Sequence, residues 1–354
     1  MKPRIIIENH IPFIEGSLEE AGCEVRYLAA RDITRDAAME ADAIVTRTRT
    51  RCDASLLEGT PVSLVATATI GTDHIDSAWC AANGIEVANA PGCNAPAVAQ
   101  YVFSAVTHLT NRPLSQQTIA IIGVGHVGKI IERWAEALDM KVLRNDPPRE
   151  RAEGGRWNSL EEIAEKADII TVHTPLSRDG RDATLHLIDG AFIDSLKRSP
   201  IVINAARGGI VDEAALLRGI GQGRVGAAVI DCWENEPTPD ARLIERAAIA
   251  TPHIAGYSRQ GKIRATAAAL EAVSRHFGLP AEGPKAPRVR AESPEACAAT
   301  VSVRSVNDSY DPCKDSIELR AAVLRDDGSV DGAAFERLRN NYELRPEAPG
   351  AKID

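Results

Sequence analysis

Arg207, Glu236 and His253 follow one another at spacings of 29 and 17 residues, and each lies just after a short apolar run. The three segments read Asn204-Ala205-Ala206-Arg207-Gly208-Gly209, Asp231-Cys232-Trp233-Glu234-Asn235-Glu236-Pro237 and Thr251-Pro252-His253-Ile254-Ala255-Gly256. A guanidinium in a glycine-flanked turn is a permanently charged fork that can grip a carboxylate at two points. An imidazole is the side chain best suited to take a hydroxyl proton near neutral pH. A carboxylate against that imidazole fixes its tautomer and stabilises the charge that appears as the proton arrives. The chemistry these three imply is oxidation of a small, negatively charged 2-hydroxy acid, with Arg207 holding and polarising it, His253 as the base and Glu236 as the partner of His253. Singly, each would pass for a surface or structural residue. Their joint placement just beyond strands, the edge where open α/β sheets bind ligands, carries the reading.

A hydride acceptor is expected from an earlier segment. Thr118 to Ile122 is apolar and runs into Gly123-Val124-Gly125-His126-Val127-Gly128, with Ile130, Ile131, Trp134 and Leu138 at helical spacing behind it. In a strand–turn–helix of this kind the glycines allow a tight turn and close approach of backbone to a pyrophosphate, while the helix start offers free amides. Such a motif alone is weak. Asp146, 18 residues after Gly128 at the end of the next apolar run, adds the carboxylate that would accept hydrogen bonds from an adenosine ribose diol. It favours NAD over NADP, with Arg144 and Arg149 nearby as the counterweight.

A phosphate on the substrate has a candidate site in Thr46-Arg47-Thr48-Arg49-Thr50-Arg51, where hydroxyls alternate with guanidinium groups after a strand. One face would present three threonine donors and the other three cations; a solvated strand end is the competing reading. Arg47 is the first cation to test.

Positioning these groups requires an α/β chain. Short apolar runs near residues 4–8, 24–28, 43–46, 63–68 and 84–88 predict one small doubly wound parallel sheet, and runs near 118–122, 141–143, 168–172, 201–204, 226–230 and 248–250 predict a second. The stretch Ala95 to Leu109, apolar at Val98, Tyr101, Val102, Ala105, Val106 and Leu109, predicts a connecting helix. A long helix is expected from Arg259 to Phe277, followed by a linker containing Pro280, Gly283, Pro284 and Pro287.

At 354 residues there is room for two or three domains. With 44% hydrophobic and 26% charged residues, the composition is that of a globular chain. A net charge of −9 argues against nonspecific partnership with nucleic acid or a membrane surface. The first residues carry an apolar run of only three, too short for a leader or span, so a cytoplasmic location is expected. Seven scattered cysteines without a Cys-x-x-Cys pair suggest apolar filler, with neither a disulfide framework nor a metal site.

Over residues 1 to about 277 the chain resembles the D-isomer-specific 2-hydroxyacid dehydrogenases. The resemblance rests on the glycine loop, His173-Thr174-Pro175-Leu176 and the three segments quoted first. Glu8-Asn9, the run Ala66 to Asp76, Ala90 to Ala95, Asp146 to Arg149 and Gly256-Tyr257 resemble the branch acting on a small phosphorylated 2-hydroxy acid. It implies a flavodoxin-like substrate domain (1–92 and 257–281), a Rossmann NAD domain (93–256) and a small C-terminal α+β dimerisation domain (282–354). It also implies that Asp146, Thr174, Ala205, Ala206, Arg207, Asp231 and Gly256 line the NAD site, that Thr48, Thr69 and Tyr257 touch substrate, and that Arg207, Glu236 and His253 are catalytic. The trace Phe335 to Tyr342 resembles the tail through which the family forms homodimers, here expected to end early. Two alternatives stay open: a sister dehydrogenase acting on phosphoglycerate or glyoxylate, and a corepressor-like module of the same fold that senses NAD(H).

Overall fold

The computed structural model describes residues 2–279, 289–291, 301–347 and 351–353. The linker expected from Pro280 to Pro287, and Cys297, lie outside them. The chain divides into two units, residues 1–94 with 258–291 and 351–354, and residues 95–257 with 292–350.

In the first unit, β1 (Arg4–Glu8), β2 (Glu24–Leu28), β3 (Ala43–Thr46), β4 (Leu64–Thr67) and β5 (Glu86–Ala88) form a sheet of order β2-β1-β3-β4-β5 with every pair parallel. This is the flavodoxin-like order. Along β1, Ile5 and Ile7 enter one apolar cluster and Ile6 the other, so the pleat sends alternate side chains into two cores. The helix Arg259–Phe277, capped by Ser258 through the Gly261 amide at 2.9 Å, closes one face with Ala265, Ala269, Leu270 and Val273.

The second unit holds β6 (Thr118–Ile122), β7 (Lys141–Asn145), β8 (Ile169–Val172), β9 (Ile201–Asn204), β10 (Ala227–Ile230) and β11 (Ile249–Ala250), in the order β11-β10-β9-β8-β6-β7. All pairs are parallel. The order reverses between β6 and β8, the switch point at which doubly wound sheets open a ligand crevice. Ile119 and Ile121 enter one core, Ala120 and Ile122 the other. The helix Ala95–Leu109 is almost wholly buried against the first of these.

The two sheets are those expected. The tail helices Val303–Ser309, Pro312–Val323 and Gly332–Asn340 pack on the second unit: Leu319, Val323 and Phe335 enter one of its cores, Val306 and Tyr310 the other. Each helix has one apolar stripe and stabilises itself by burying it; full burial of a side chain such as Phe335, 0% exposed, is worth about 1.5–3 kcal/mol. Beyond the tail helices, Ala351–Ile353 pairs antiparallel with Val289–Ala291 in the first unit. Of the six cysteines described, five are buried and Cys313 is partly so, as fillers should be.

Candidate active site

The cofactor loop follows β6. Gly123 adopts φ 89°, and a Cβ there would stand 2.7–2.9 Å from the backbone of His173 and Thr174 beyond β8; a Cβ on Gly128 would stand 2.3 Å from the Gly123 carbonyl oxygen. Only glycine lets these backbones meet. Gly125 has open space where its Cβ would be and caps the helix His126–Ala137, whose first residue His126 is exposed and whose second, Val127, is half-buried. Asp146 caps the helix Pro147–Glu153 by accepting from the Arg149 amide at 3.1 Å, while its other oxygen accepts from the Val124 amide at 2.9 Å. The carboxylate is thus tied to the glycine loop itself. Thr174 has a buried hydroxyl without a protein partner, beside that loop. A glycine cradle, a helix start, an adjacent carboxylate and an orphaned hydroxyl fit a dinucleotide.

The turn after β9 carries Ala205, Ala206 and Arg207. Asn204, 1% exposed, braces it by donating to the carbonyls of Arg207 at 2.9 Å and Cys232 at 3.3 Å. A Cβ on Gly208 would lie 1.9 Å from the Trp233 carbonyl oxygen, so the turn bearing Arg207 rests directly on the backbone leading to Glu236. Arg207 also donates to the Ala206 carbonyl at 2.8 Å.

Beyond β10, the Trp233 amide donates to Oε1 of Glu236 at 3.0 Å and turns the carboxylate toward the next strand end. There Nδ1 of His253 lies 3.0 Å from both carboxylate oxygens. Burial raises the Glu236 carboxyl, but His253, the Trp233 amide and Arg339 outweigh it and hold it below the usual carboxylate range. With Nδ1 occupied by the carboxylate, Nε2 is the ring atom that can accept a proton.

His253 adopts φ 58°, a left-handed conformation costly for a non-glycine residue and maintained only where surrounding contacts over-determine it. Asp231, 1% exposed, accepts from the Thr251 hydroxyl at 2.7 Å and from the amides of Ile254 and Ala255 at 2.7 and 2.9 Å. Burial pushes its carboxyl up against the pull of His253 and these donors. Asp231, expected to line the cofactor site, thus also holds the loop that carries His253. Gly256 and Tyr257 complete the loop, half-buried.

In the first unit, the alternation of Thr46 to Arg51 does not give three outward hydroxyls. Glu8, 2% exposed at the end of β1, accepts from the hydroxyls of Thr46 and Thr50 at 3.0 and 3.4 Å and from the Arg47 amide at 3.0 Å. A buried carboxylate demands donors, so Thr46 and Thr50 turn inward and Thr48 alone of the three is exposed. Arg47 donates to the His10 carbonyl at 3.0 Å, and Arg51 pairs with Asp53. Thr69 meets Thr67 at 2.7 Å and the Gly71 carbonyl at 3.0 Å.

Sequence reasoning missed the braces: Glu8, Asn204, and Arg339 and Arg345 of the tail. Their partners lie up to 248 residues away, as for Arg345 and Ala97, and no local spacing announces them.

The family described as "D-isomer specific 2-hydroxyacid dehydrogenase, NAD binding domain" matches residues 96–255. Erythronate-4-phosphate dehydrogenase of Bacteroides thetaiotaomicron is 43% identical over 99% of both chains, and that of Escherichia coli O1:K1 / APEC is 40% identical over 97% of this chain and 92% of its own. The chain is therefore not short beside these relatives. Among solved structures, NAD- and lactate-bound D-lactate dehydrogenase of Aquifex aeolicus superposes with a TM-score of 0.66 at 24% identity, covering 78% of this chain and 95% of its own. NAD-bound 3-phosphoglycerate dehydrogenase of Entamoeba histolytica gives 0.65 at 24%, covering 80% and 99%. Fold, cradle and family match define the class, an NAD-dependent oxidoreductase acting on a CH–OH group. Within it, the chain belongs to the D-isomer-specific 2-hydroxyacid dehydrogenases, in the group of the erythronate-4-phosphate dehydrogenases.

Proposed function

We propose that the protein oxidises 4-phosphoerythronate at C2 to 2-oxo-3-hydroxy-4-phosphobutanoate, a step toward pyridoxal phosphate. The observation that carries this is the Glu236–His253 pair beside the Arg207 turn, in a chain 38–43% identical to enzymes of that name. Arg207 grips the substrate carboxylate and polarises C2. The hydroxyl proton passes to Nε2 of His253 as the C2 hydrogen leaves as hydride, and Glu236 stabilises the imidazolium through Nδ1. Bound NAD would supply the hydride acceptor, held by Gly123, Gly125, His126, Val127 and Gly128, with Asp146, Thr174, Ala205, Ala206, Arg207, Asp231 and Gly256 around it. Arg47, Thr48, Thr69 and Tyr257 are assigned to the phosphorylated substrate, Thr48 by its outward position beside a guanidinium.

A homodimer in the cytoplasm is part of the same reading. Ile317 and Val303 of the tail helices are 68% and 43% exposed and are available to a partner surface. Among the described residues, no helix is long and apolar enough to cross a membrane.

A direct test measures NAD reduction with 4-phosphoerythronate, unphosphorylated erythronate, 3-phosphoglycerate and glycolate. Turnover should be greatest with the first; equal rates with and without the phosphate would reject the assignment.

A further inference from the structure

The tail reaches the chemistry. Asp331 caps the helix Gly332–Asn340 through the Ala334 amide at 2.8 Å, and Phe335 anchors it in the core that also holds Trp233 and Ile230. At its start, a Cβ on Gly332 would stand 2.9–3.3 Å from Thr238 and Pro237, so the helix lies against the turn that presents Glu236. One turn beyond Phe335 is Arg339, whose side chain is 14% exposed. Its Nη1 lies 3.5 Å from Oε2 of Glu236, and its guanidinium faces the Tyr257 side chain.

Further on, Arg345 takes hold of the loop that carries His253. It is 7% exposed and donates through Nη1 to the carbonyls of Ile254 and Tyr257 at 3.1 and 3.0 Å. Nη2 donates to those of Ala255 and Ala97 at 2.5 and 3.2 Å, and Nε to Gln100 at 3.1 Å. Asp231 holds the amides of this loop and Arg345 its carbonyls. By contrast, Arg337 of the same tail helix is 65% exposed and, among the described residues, pairs with Asp331 at 4.0 Å.

We infer that Arg339 is a positioning residue for the oxidation: it takes the outer side of the Glu236 carboxylate whose inner side orients His253, and couples that carboxylate to Tyr257. The inference rests on the proposed role of His253 as base. A general base must be unprotonated when the substrate arrives. Glu236 alone beside the imidazole would favour the imidazolium; a guanidinium on the same carboxylate offsets part of that pull while preserving the orientation. The charged and titratable groups facing the pair are Asp231 and Cys232 beyond β10, Arg207 beyond β9, Glu213, whose carboxyl burial pushes up to about 8, and Arg339 and Tyr257. Of these, Arg339 is the cation bonded to Glu236 itself.

The test compares Arg339→Gln, Arg339→Lys and Arg337→Gln in the full chain with Glu236→Gln and His253→Ala, reading kcat, KM, the pH profile of kcat and thermal melting. In Arg339→Gln, kcat at pH 7 should fall on the order of 10²-fold from misplacement and lost charge balance, with KM for the hydroxy acid changed far less. The acid limb of its kcat profile should move to higher pH. Arg339→Lys should return that limb toward the wild-type position with incomplete recovery of kcat, since an ammonium cannot fork between two partners. Adding Arg339→Gln to Glu236→Gln should cost little more, because the arginine acts through the carboxylate. Arg337→Gln should behave as wild type. An unmoved pH limb, a pure KM effect, or activity lost only in proportion to unfolded protein overturns the inference. Additive losses in the double variant overturn it as well, and can be read even if one single variant is weakly folded. Turnover surviving in His253→Ala overturns both this inference and the proposed function; an inactive His253→Ala with an unaltered Arg339→Gln overturns this inference alone.

Discussion

Nδ1 of His253 sits equidistant, at 3.0 Å, from the two carboxylate oxygens of Glu236. The ring is therefore oriented by a symmetric acceptor that stays ionised across the neutral range, its carboxyl lying below the usual value. His253→Ala should abolish NAD reduction, a loss of about 10²- to 10⁴-fold or more, while NADH binding followed by fluorescence remains near wild type. In Glu236→Gln the imidazole loses its anion, so the plateau of kcat should drop and its acid limb move to lower pH. A profile that moves upward instead would contradict the assigned roles.

Asp146 accepts from the Val124 amide within the glycine loop as well as from its own helix start. Asp146→Ala should loosen the loop and remove the charge opposed to a 2′-phosphate. The KM for NAD should rise on the order of tenfold or more, the preference over NADP should narrow, and kcat at saturating cofactor should change least. Steady-state titrations of both cofactors report this, and an unchanged NAD/NADP ratio would remove Asp146 from cofactor recognition.

Glu8 gathers Thr46, Thr50 and the Arg47 amide around one buried carboxylate. Removing it in Glu8→Ala strands three donors, at a cost of about 1–3 kcal/mol for each group left truly unsatisfied. Denaturant melts should show a loss of that order, and KM for 4-phosphoerythronate should rise because the Thr48 turn loses its brace. Wild-type stability in this variant would show that the loop holds itself.

Glu213, 8% exposed, accepts from the Glu234 amide at 2.6 Å, and burial pushes its carboxyl up to about 8, opposed by that amide and reinforced by Glu234, Asp240 and Glu236. A carboxyl raised on folding contributes stability that is fully present below its ordinary value of 4.5 and is lost as pH rises through about 8. Glu213→Gln should therefore melt close to wild type at pH 5 but on the order of a few degrees higher at pH 9. Melting curves across that range decide it; a variant less stable at pH 9 than at pH 5, relative to wild type, would reverse the sign.

The sequence by itself determined the two parallel sheets, the glycine loop and the identity of the reacting groups. Period-two isoleucines such as Ile5, Ile6 and Ile7, strands ending in glycine turns, and Arg207, Glu236 and His253 just beyond their strands are local patterns, and local patterns survive in one dimension. Tertiary structure alone decided what each polar side chain does within that frame. Thr46 and Thr50 look like ligands in the sequence and turn inward because Glu8 is buried beside them. Asp231 ends its strand, and only the fold shows it accepting from the amides of the His253 loop. The tail helices bury apolar side chains in the second unit and carry Arg339 to Glu236 and Arg345 to the His253 loop, contacts no local pattern announces. Hydrogen bonding inside a low-dielectric interior is settled by whichever partner the packed chain brings within 3 Å, across any separation in sequence, and so it becomes visible only once the chain is folded.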